Sequence, residues 1–181
     1  KEARKKLNSE NNNLTLAERF QTCVLIGDSI GEGLTVYNVL DSQNVLAKKG
    51  LSTKSSDEYF QKAVSLQPDV VFIQLGMNDM NIYRDNISGY IDAMKEKIAY
   101  LKKNIKDVDI YINGILPVSD SAASKTPELG KYPEYNKELK NMCKDEKVTF
   151  IDVEQILKSS GKDLHEPDGI HPVSSYYSLW A

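Results

Sequence analysis

The chain is short of several features that would place it in particular classes of protein. Among its 181 residues there are two cysteines, two histidines and one tryptophan. No apolar run approaches the roughly 18 residues that a membrane-spanning helix needs, so no membrane span is predicted. Two cysteines cannot form a disulfide framework, and together with two histidines they make a structural zinc site improbable. We expect Cys23 and Cys143 to be small, buried thiols.

An excess of positive charge is also missing. Lysine and arginine number 23 against 26 aspartates and glutamates, which gives a net charge of −3 and a pI near 5.5. A nucleic-acid binder needs a basic surface that neutralises phosphates, so no nucleic-acid partner is predicted. With 40% hydrophobic and 27% charged residues, the composition is typical of a globular chain rather than a disordered one.

The first residues differ in composition from the rest. The segment KEARKKLNSENNN is polar and rich in lysine and asparagine. We interpret residues 1–14 as a polar tail or linker and residues 15–181 as the domain. Both a solvated tail and a spacer behind a removed signal peptide or anchor fit this composition. We expect an extracellular or cell-surface-attached bacterial protein, with a cytoplasmic enzyme as the alternative, and the sequence indicates no particular oligomeric state.

Short apolar segments alternate with helical ones along the chain. Strands are predicted at residues 22–26, 44–47, 70–75, 108–116 and 148–153. Helices are predicted at residues 30–40, 53–66, 87–105 and 134–146, with a short helix at the C-terminus and loops at 119–132 and 158–172. This alternation favours a parallel sheet covered by helices on both faces, because each parallel connection needs a crossover.

Polar residues follow several predicted strands, and parallel sheets place their functional sites at that edge. Ser29 follows the first strand, Gly50 the second and Asn78 the third. Asp168 and His171 lie in a loop beyond the fifth strand. The sequence therefore predicts that these five residues meet at one edge of the sheet.

These residue types suit acyl transfer, which needs a nucleophile, a base, a group that orients the base, and oxyanion donors. Ser29 is the candidate nucleophile, although a serine at this position also suits a helix cap. His171 is the candidate base, because Asp168 lies three residues earlier and a tight turn would bring its carboxylate to Nδ1. Nε2 would then be free to face Ser29. We expect His165 to be an ordinary loop histidine.

Three groups are candidate oxyanion donors. They are the backbone N–H of Ser29, the backbone N–H of Gly50 and the side-chain amide of Asn78. Asn78 also suits a turn, and Gly50 also suits the entry to a helix, so each residue has a purely structural alternative.

Taken together, these residues resemble the SGNH hydrolases, which are the GDSL-type esterases and lipases. The family is marked by four sequence blocks in a fixed order, and here they span most of the chain. Ile30 stands where the family's short name has leucine, at a packing position. The matching blocks are Gly27-Asp28-Ser29, Gly50, Gly76-Met77-Asn78-Asp79 and Asp168-Gly169-Ile170-His171-Pro172.

The resemblance implies a flavodoxin-like, three-layer α/β/α fold with five parallel strands in the order 2-1-3-4-5. It implies Ser29 as nucleophile, His171 as general base and then acid, and Asp168 as the residue that orients it. It also implies an oxyanion hole made by the N–H groups of Ser29 and Gly50 and the amide of Asn78. It implies no metal and no organic cofactor.

The expected function is hydrolysis of small-acyl esters, acetyl esters above all, of a small molecule or carbohydrate through an acyl-enzyme. The chain has no long apolar lid segment, and Tyr83, Tyr176, Tyr177 and Trp180 are predicted near the site, where aromatic faces suit a sugar ring. The last three equally suit the apolar side of a C-terminal helix.

Other functions stay open at this point. A lysophospholipase or thioesterase-type acyl hydrolase would use the same residues. A non-catalytic carbohydrate-binding domain could share the fold, and a flavodoxin-like electron carrier or receiver is a more distant alternative. The segment Gly27–Gly31 also matches the nucleophile elbow of α/β-hydrolases, which would change the fold more than the chemistry.

Overall fold

Five parallel strands form a single sheet in the order β2-β1-β3-β4-β5. The computed structural model describes residues 14–181, so the tail predicted for residues 1–14 lies, except for Leu14, outside the described residues. The parallel sheet and its strand order are as predicted. The strands are β1 (Cys23–Gly27), β2 (Val45–Ala47), β3 (Val70–Gln74), β4 (Asp109–Asn113) and β5 (Thr149–Ile151).

The strand β1 is an inner strand of the sheet. It pairs with β2 on one side and β3 on the other, with Leu25 opposite both Val45 and Phe72. All five of its residues are buried. A strand covered on both faces must be apolar throughout, which is why this segment shows no alternation of polar and apolar residues.

Helices cover both faces of the sheet. On one face α3 and α7 each pack against α5, and on the other α9 packs against α2 and α8. The helices are α1 (Leu16–Arg19), α2 (Ser29–Val36), α3 (Asp57–Leu66), α4 (Met77–Tyr83), α5 (Ile87–Asn104), α6 (Asp120–Lys125), α7 (Tyr132–Asp145), α8 (Glu154–Ser160) and α9 (Ser174–Trp180).

The long helix α5 shows how sequence pattern and burial agree. The apolar residues spaced three and four apart fall on the face that packs against the core. Ile91, Met94, Ile98 and Leu101 are buried, whereas Lys102 and Lys103 lie outside that stripe and are exposed. The helix predicted at residues 87–105 is therefore confirmed to within one residue.

Several shorter elements differ from the sequence prediction. The loop predicted at 119–132 is wrong, because it contains α6 and a 3₁₀ helix at Pro127–Lys131. The helices α4 and α8 were not predicted. Helices of six or seven residues are marginal by propensity alone and form because they pack on the rest of the molecule. Their presence leaves little mark in the sequence pattern.

Two predicted helices have different limits in the structure. The helix expected at residues 30–40 ends at Val36, and the one expected at 53–66 begins at Asp57. In the second case residues 51–56 form a separate loop held by side-chain hydrogen bonds. Both cysteines are free and buried, as predicted.

Candidate active site

Ser29 is placed by the junction between β1 and α2. It is the first residue of α2, and Asp28 before it caps the helix by accepting a hydrogen bond from the Ile30 N–H over 2.9 Å. At Gly33, the helix α2 lies unusually close to α9, because a Cβ on this residue would lie 2.1 Å from the Tyr177 ring. Glycine at this position lets α2 pack tightly while Ser29 stays at the carboxyl edge of the sheet.

The structure brings Ser29, His171 and Asp168 together. The Ser29 Oγ lies 2.9 Å from His171 Nε2, across 142 positions of sequence. On the other side of the ring, His171 Nδ1 lies 2.6 Å from Asp168 Oδ2. Because the Asp168 carboxylate accepts a hydrogen bond from the N–H at Nδ1, Nε2 is left as an acceptor that faces the serine hydroxyl.

The Asp168 carboxyl group is held in its charged form. Burial alone would raise its pKa, but the hydrogen bonds from the His171 ring and from the backbone N–H groups of Ile170 and His171 together lower its pKa to about 2. Those N–H groups donate to Oδ1 over 2.8 Å and 3.0 Å. One oxygen of Asp168 is thus fixed by the backbone while the other orients the imidazole.

The loop that follows β2 carries Gly50. This residue has a φ of +81°, in the region that favours glycine, and no atom lies within 4 Å of where its Cβ would be. On one side, the Lys49 N–H donates to the Glu32 carboxylate over 3.1 Å, which ties the loop to α2. Gly50 is therefore held beside the helix that begins with Ser29.

Asn78 and its neighbour hold the other side of that loop. The Asn78 Nδ2 donates to the Leu51 carbonyl over 3.0 Å. The Asp79 Oδ1 accepts hydrogen bonds from the Thr53 N–H over 3.0 Å and from the Thr53 hydroxyl over 2.6 Å. This anchor uses one of the two amide protons of Asn78, since each can make a separate hydrogen bond.

Glycine is needed where β3 gives way to α4. Gly76 has a φ of +138°, and a Cβ there would lie 2.5 Å from the Ile115 side chain. The turn directs α4 so that Asn78, its second residue, lies in the first turn of the helix. Glu32, Thr53 and Asp79 are the residues that sequence reasoning did not assign to the site. Only Asp79 had a signal, since it belongs to the Gly-x-Asn-Asp block.

Two buried carboxyl groups lie directly beside the site. Asp28 and Asp79 are fully buried, and each has one oxygen, Oδ2, without a hydrogen-bond partner. Burial is the main cause that raises the pKa of Asp28, to about 7, with a further contribution from Asp79. Burial likewise raises the pKa of Asp79. Burial thus favours the neutral form of both carboxyl groups.

The raised pKa of Asp28 leads to a prediction about stability. The unfolded state loses this proton near pH 3.8 but the native state keeps it to about pH 7, so the native state binds more protons between these limits and loses stability as pH rises. For Asp28 alone the loss is at most roughly 4 kcal/mol. We expect Asp28→Asn, which retains a capping side chain, to show a smaller fall in the free energy of unfolding.

Urea unfolding at about pH 4 and about pH 7 measures this difference, with Asp41→Asn on the exposed loop before β2 as the control. Part of the fall should remain in Asp28→Asn, because the pKa of Asp79 is raised as well. An unchanged fall in Asp28→Asn would contradict the assignment.

The aromatic residues predicted near the site, and His165, have mostly structural contacts in the fold. Tyr176 and Tyr177 are buried, and Trp180 is half-buried and donates its indole N–H to Asn113, so these three form the inner side of α9. Tyr83 is half-buried, with its hydroxyl 3.2 Å from that of Thr53. His165 lies in a loop as predicted, but both of its ring nitrogens have hydrogen-bond partners.

Within the described part of the chain, neither a cluster of metal-ligating side chains nor a membrane-spanning helix is found. Within residues 14–181 no three His, Cys, Asp or Glu side chains are grouped as metal ligands. Over the same range, none of the helices combines the length and hydropathy that crossing a membrane requires.

Comparison with known proteins finds one family whose sequence model covers most of the chain. Residues 25–178 match the sequence model of the GDSL-like Lipase/Acylhydrolase family. A comparison of the sequence with curated proteins finds no match.

Solved structures share the fold at low sequence identity. A GDSL-like lipase from Bacteroides thetaiotaomicron is similar with a TM-score of 0.70 and 18% identity, over 97% of this chain and 92% of that one. A catalytic mutant of an acetylxylan esterase from Geobacillus stearothermophilus gives 0.68 and 14%, over 88% and 90%. An α/β hydrolase enzyme from the metagenome of Lake Arreo, Spain, gives 0.68 and 16%, over the same shares.

Proposed function

We propose that this chain, which belongs to the GDSL-like lipase/acylhydrolase family and is a carboxylic ester hydrolase, removes small acyl groups from carbohydrate esters. Acetyl is the acyl group expected above all. The observation that carries the proposal is the continuous hydrogen-bonded series from Ser29 through His171 to Asp168. It supplies a nucleophile, a base in reach of its proton, and a carboxylate that fixes the base.

In the first half of the reaction, the Ser29 Oγ attacks the ester carbonyl carbon and gives its proton to His171 Nε2. The new C–O bond forms as the carbonyl π pair moves onto oxygen. When the tetrahedral intermediate collapses, the bond to the leaving alcohol breaks, and His171 returns the proton to that alcohol. Asp168 keeps its charge throughout and stabilises the imidazolium.

The negative oxygen of the intermediate needs donors that are already in place. The N–H groups of Ser29 and Gly50 and the free amide proton of Asn78 are assigned that role. Their spacing is maintained by hydrogen bonds of the loop that carries Gly50, which donates to the carboxylates of Glu32 and Asp79 and accepts from the amide of Asn78. Preorganisation of this kind avoids a reorganisation cost when charge develops.

In the second half, water takes the place of the alcohol. His171 accepts a proton from water as the oxygen attacks the acyl carbon, and the Ser29 Oγ leaves and recovers its proton from His171. The products are a carboxylic acid and the regenerated enzyme.

The preference for a short acyl group is supported by the surroundings of the site. Within the described residues, neither the loop 48–56 nor the loop 164–173 exposes a large apolar side chain. An apolar channel would gain about 0.8 kcal/mol per buried methylene of the acyl chain. These loops offer little of that gain. The proposal of a carbohydrate ester as substrate is also supported by the fold shared with an acetylxylan esterase.

An acyl-chain series tests the substrate assignment. We expect kcat/KM for p-nitrophenyl acetate to be at least as high as that for the octanoate, because the longer chain gains little burial against these loops. Release of acetate from acetylated xylo-oligosaccharides, followed enzymatically, tests whether carbohydrate esters are substrates. A preference for octanoate would instead indicate a lysophospholipase or thioesterase-type activity and would contradict the proposal.

A further inference from the structure

A second aspartate–histidine pair lies next to the first. The His165 Nδ1 lies 2.7 Å from Asp163 Oδ1, and its Nε2 lies 2.8 Å from the carbonyl oxygen of Pro117. The side chain of His165 is 14% exposed, compared with 37% for His171. Both rings have a hydrogen-bond partner at each nitrogen, but that of His165 is the more sheltered from solvent.

Both groups bonded to the His165 ring are hydrogen-bond acceptors. A backbone carbonyl has no proton to give, and the hydrogen bonds from the His165 backbone N–H and side chain lower the pKa of Asp163. A neutral imidazole has a single N–H and satisfies only one acceptor. The contact with the Pro117 carbonyl is therefore a hydrogen bond when Nε2 carries the proton and donates.

The position of His165 connects it to the catalytic histidine. Its backbone forms an isolated bridge with Pro172, and the next residue, Glu166, donates its N–H to the His171 carbonyl over 2.7 Å. The Val173 N–H donates to Leu164 over 2.8 Å. The loop 164–173 is thus a closed unit, and a displacement of His165 is passed to His171.

The same loop is fastened at two places to the segment that follows β4. Pro117 lies beyond the end of β4 in a buried segment, and its carbonyl accepts from His165 Nε2. Two residues later the Ser119 N–H donates to the Gly169 carbonyl over 2.8 Å. Of these two attachments, the one through His165 is the one a side-chain substitution can remove.

We propose that His165, oriented by Asp163, is a positioning residue that holds the loop 164–173 on Pro117 so that His171 reaches Ser29. This inference deepens the proposed function and rests on it. His165 does not touch the reacting atoms, and its effect is on the distance and angle between His171 Nε2 and the Ser29 hydroxyl. A misplacement of about 1 Å in such a pair costs about 10² in rate.

Two substitutions at His165 separate its two bonds. In His165→Gln the side-chain amide lies near the former Nε2 and retains the donor to Pro117. In His165→Asn the amide lies near the former Nδ1, so it retains the contact with Asp163 and loses Pro117. Each variant keeps one of two hydrogen bonds, which makes them matched controls for general destabilisation.

We expect His165→Asn to lower kcat by about 10- to 100-fold with KM nearly unchanged. His165→Gln should stay within about threefold of wild type, since a retained anchor leaves His171 in place. Thermal unfolding midpoints of the two variants should be similar. Equal kcat in the two variants would overturn the proposal. Wild-type activity that is absent, or that persists in Ser29→Ala, would instead count against the proposed function.

A measurement on the wild-type protein does not depend on how the variants fold. Long-range ¹H–¹⁵N spectra of the histidine rings report whether each ring nitrogen carries a proton. We expect a proton on Nε2 of His165 at neutral pH, since this nitrogen must donate to Pro117. An unprotonated Nε2 would overturn the proposal, whatever the activity of the enzyme.

Discussion

Replacing Ser29 with alanine is expected to remove nearly all ester hydrolysis. The substitution deletes the oxygen that lies 2.9 Å from His171 Nε2 and would carry the acyl group. Losses of about 10⁴- to 10⁶-fold in kcat are typical when the nucleophile of such a group is removed. Steady-state hydrolysis of p-nitrophenyl acetate, with wild-type protein prepared in parallel, measures the loss.

The control for this substitution is Ser65→Ala. Ser65 is an exposed serine in α3, its hydroxyl bonds only to the Lys62 carbonyl within the same helix, and it lies outside the site. We expect wild-type activity from this variant. Folding of Ser29→Ala is checked by its thermal midpoint, which should be close to that of wild type. If Ser29→Ala retained wild-type turnover, the acyl-enzyme mechanism would be wrong.

The second large effect is expected from Asp168→Asn. Asparagine is nearly the same size, and its Oδ1 still accepts the N–H groups of Ile170 and His171, so the loop should keep its shape. Its amide, however, donates to His171 Nδ1. The ring would then carry its proton on Nε2, which could no longer accept from Ser29. A loss of about 10³- to 10⁴-fold in kcat is expected from the wrong tautomer.

The pH dependence distinguishes this role from a structural one. Because the pKa of Asp168 is lowered to about 2, the wild-type carboxylate persists through mildly acidic solution, and its protonation does not limit activity there. Asp168→Asn should therefore be impaired at every pH between about 5 and about 9, rather than only at one end of that range. Asp41→Asn, on an exposed loop, is the control and should match wild type. A variant that regained full activity at either extreme would contradict the assigned role.

The pairing of Asp168 with His171 could be predicted from sequence because it is local. They are three positions apart, with only Gly169 and Ile170 between them, and the turn has few ways to close. Their distance from Ser29 in sequence is large, but the parallel sheet predicted from the strand–helix alternation places the ends of its strands together. The resemblance to a known family supplied the strand order and the individual roles.

The supporting contacts could not be predicted in the same way. Nothing in the segment around Glu32 indicates that its carboxylate accepts the Lys49 N–H, since 17 positions separate them. The contact between His165 and Pro117 was missed for a similar reason. Pro117 offers only a backbone carbonyl, and every residue has one.

The short helices were missed for a different reason. The segment from Ser119 to Lys131 is rich in small and turn-forming residues, so its pattern favours a loop. In the structure the Ser119 hydroxyl caps α6 by accepting the Ala122 N–H over 3.2 Å, and Leu129 is buried. The packing of a few apolar residues, rather than helix propensity, decided the conformation.

The apolar strand β1, the amphipathic α5, the parallel sheet and the local Asp168–His171 turn all follow from the residue pattern alone, because each depends on periodicity or short-range geometry. By contrast, the placement of Gly50 between Glu32 and the Asn78–Asp79 pair, and the contact of His165 with Pro117, depend on the folded chain. Those contacts join distant segments, and several of them use backbone groups that are the same in every residue. The physical information that selects them lies in the packed fold and not in any one segment of the chain.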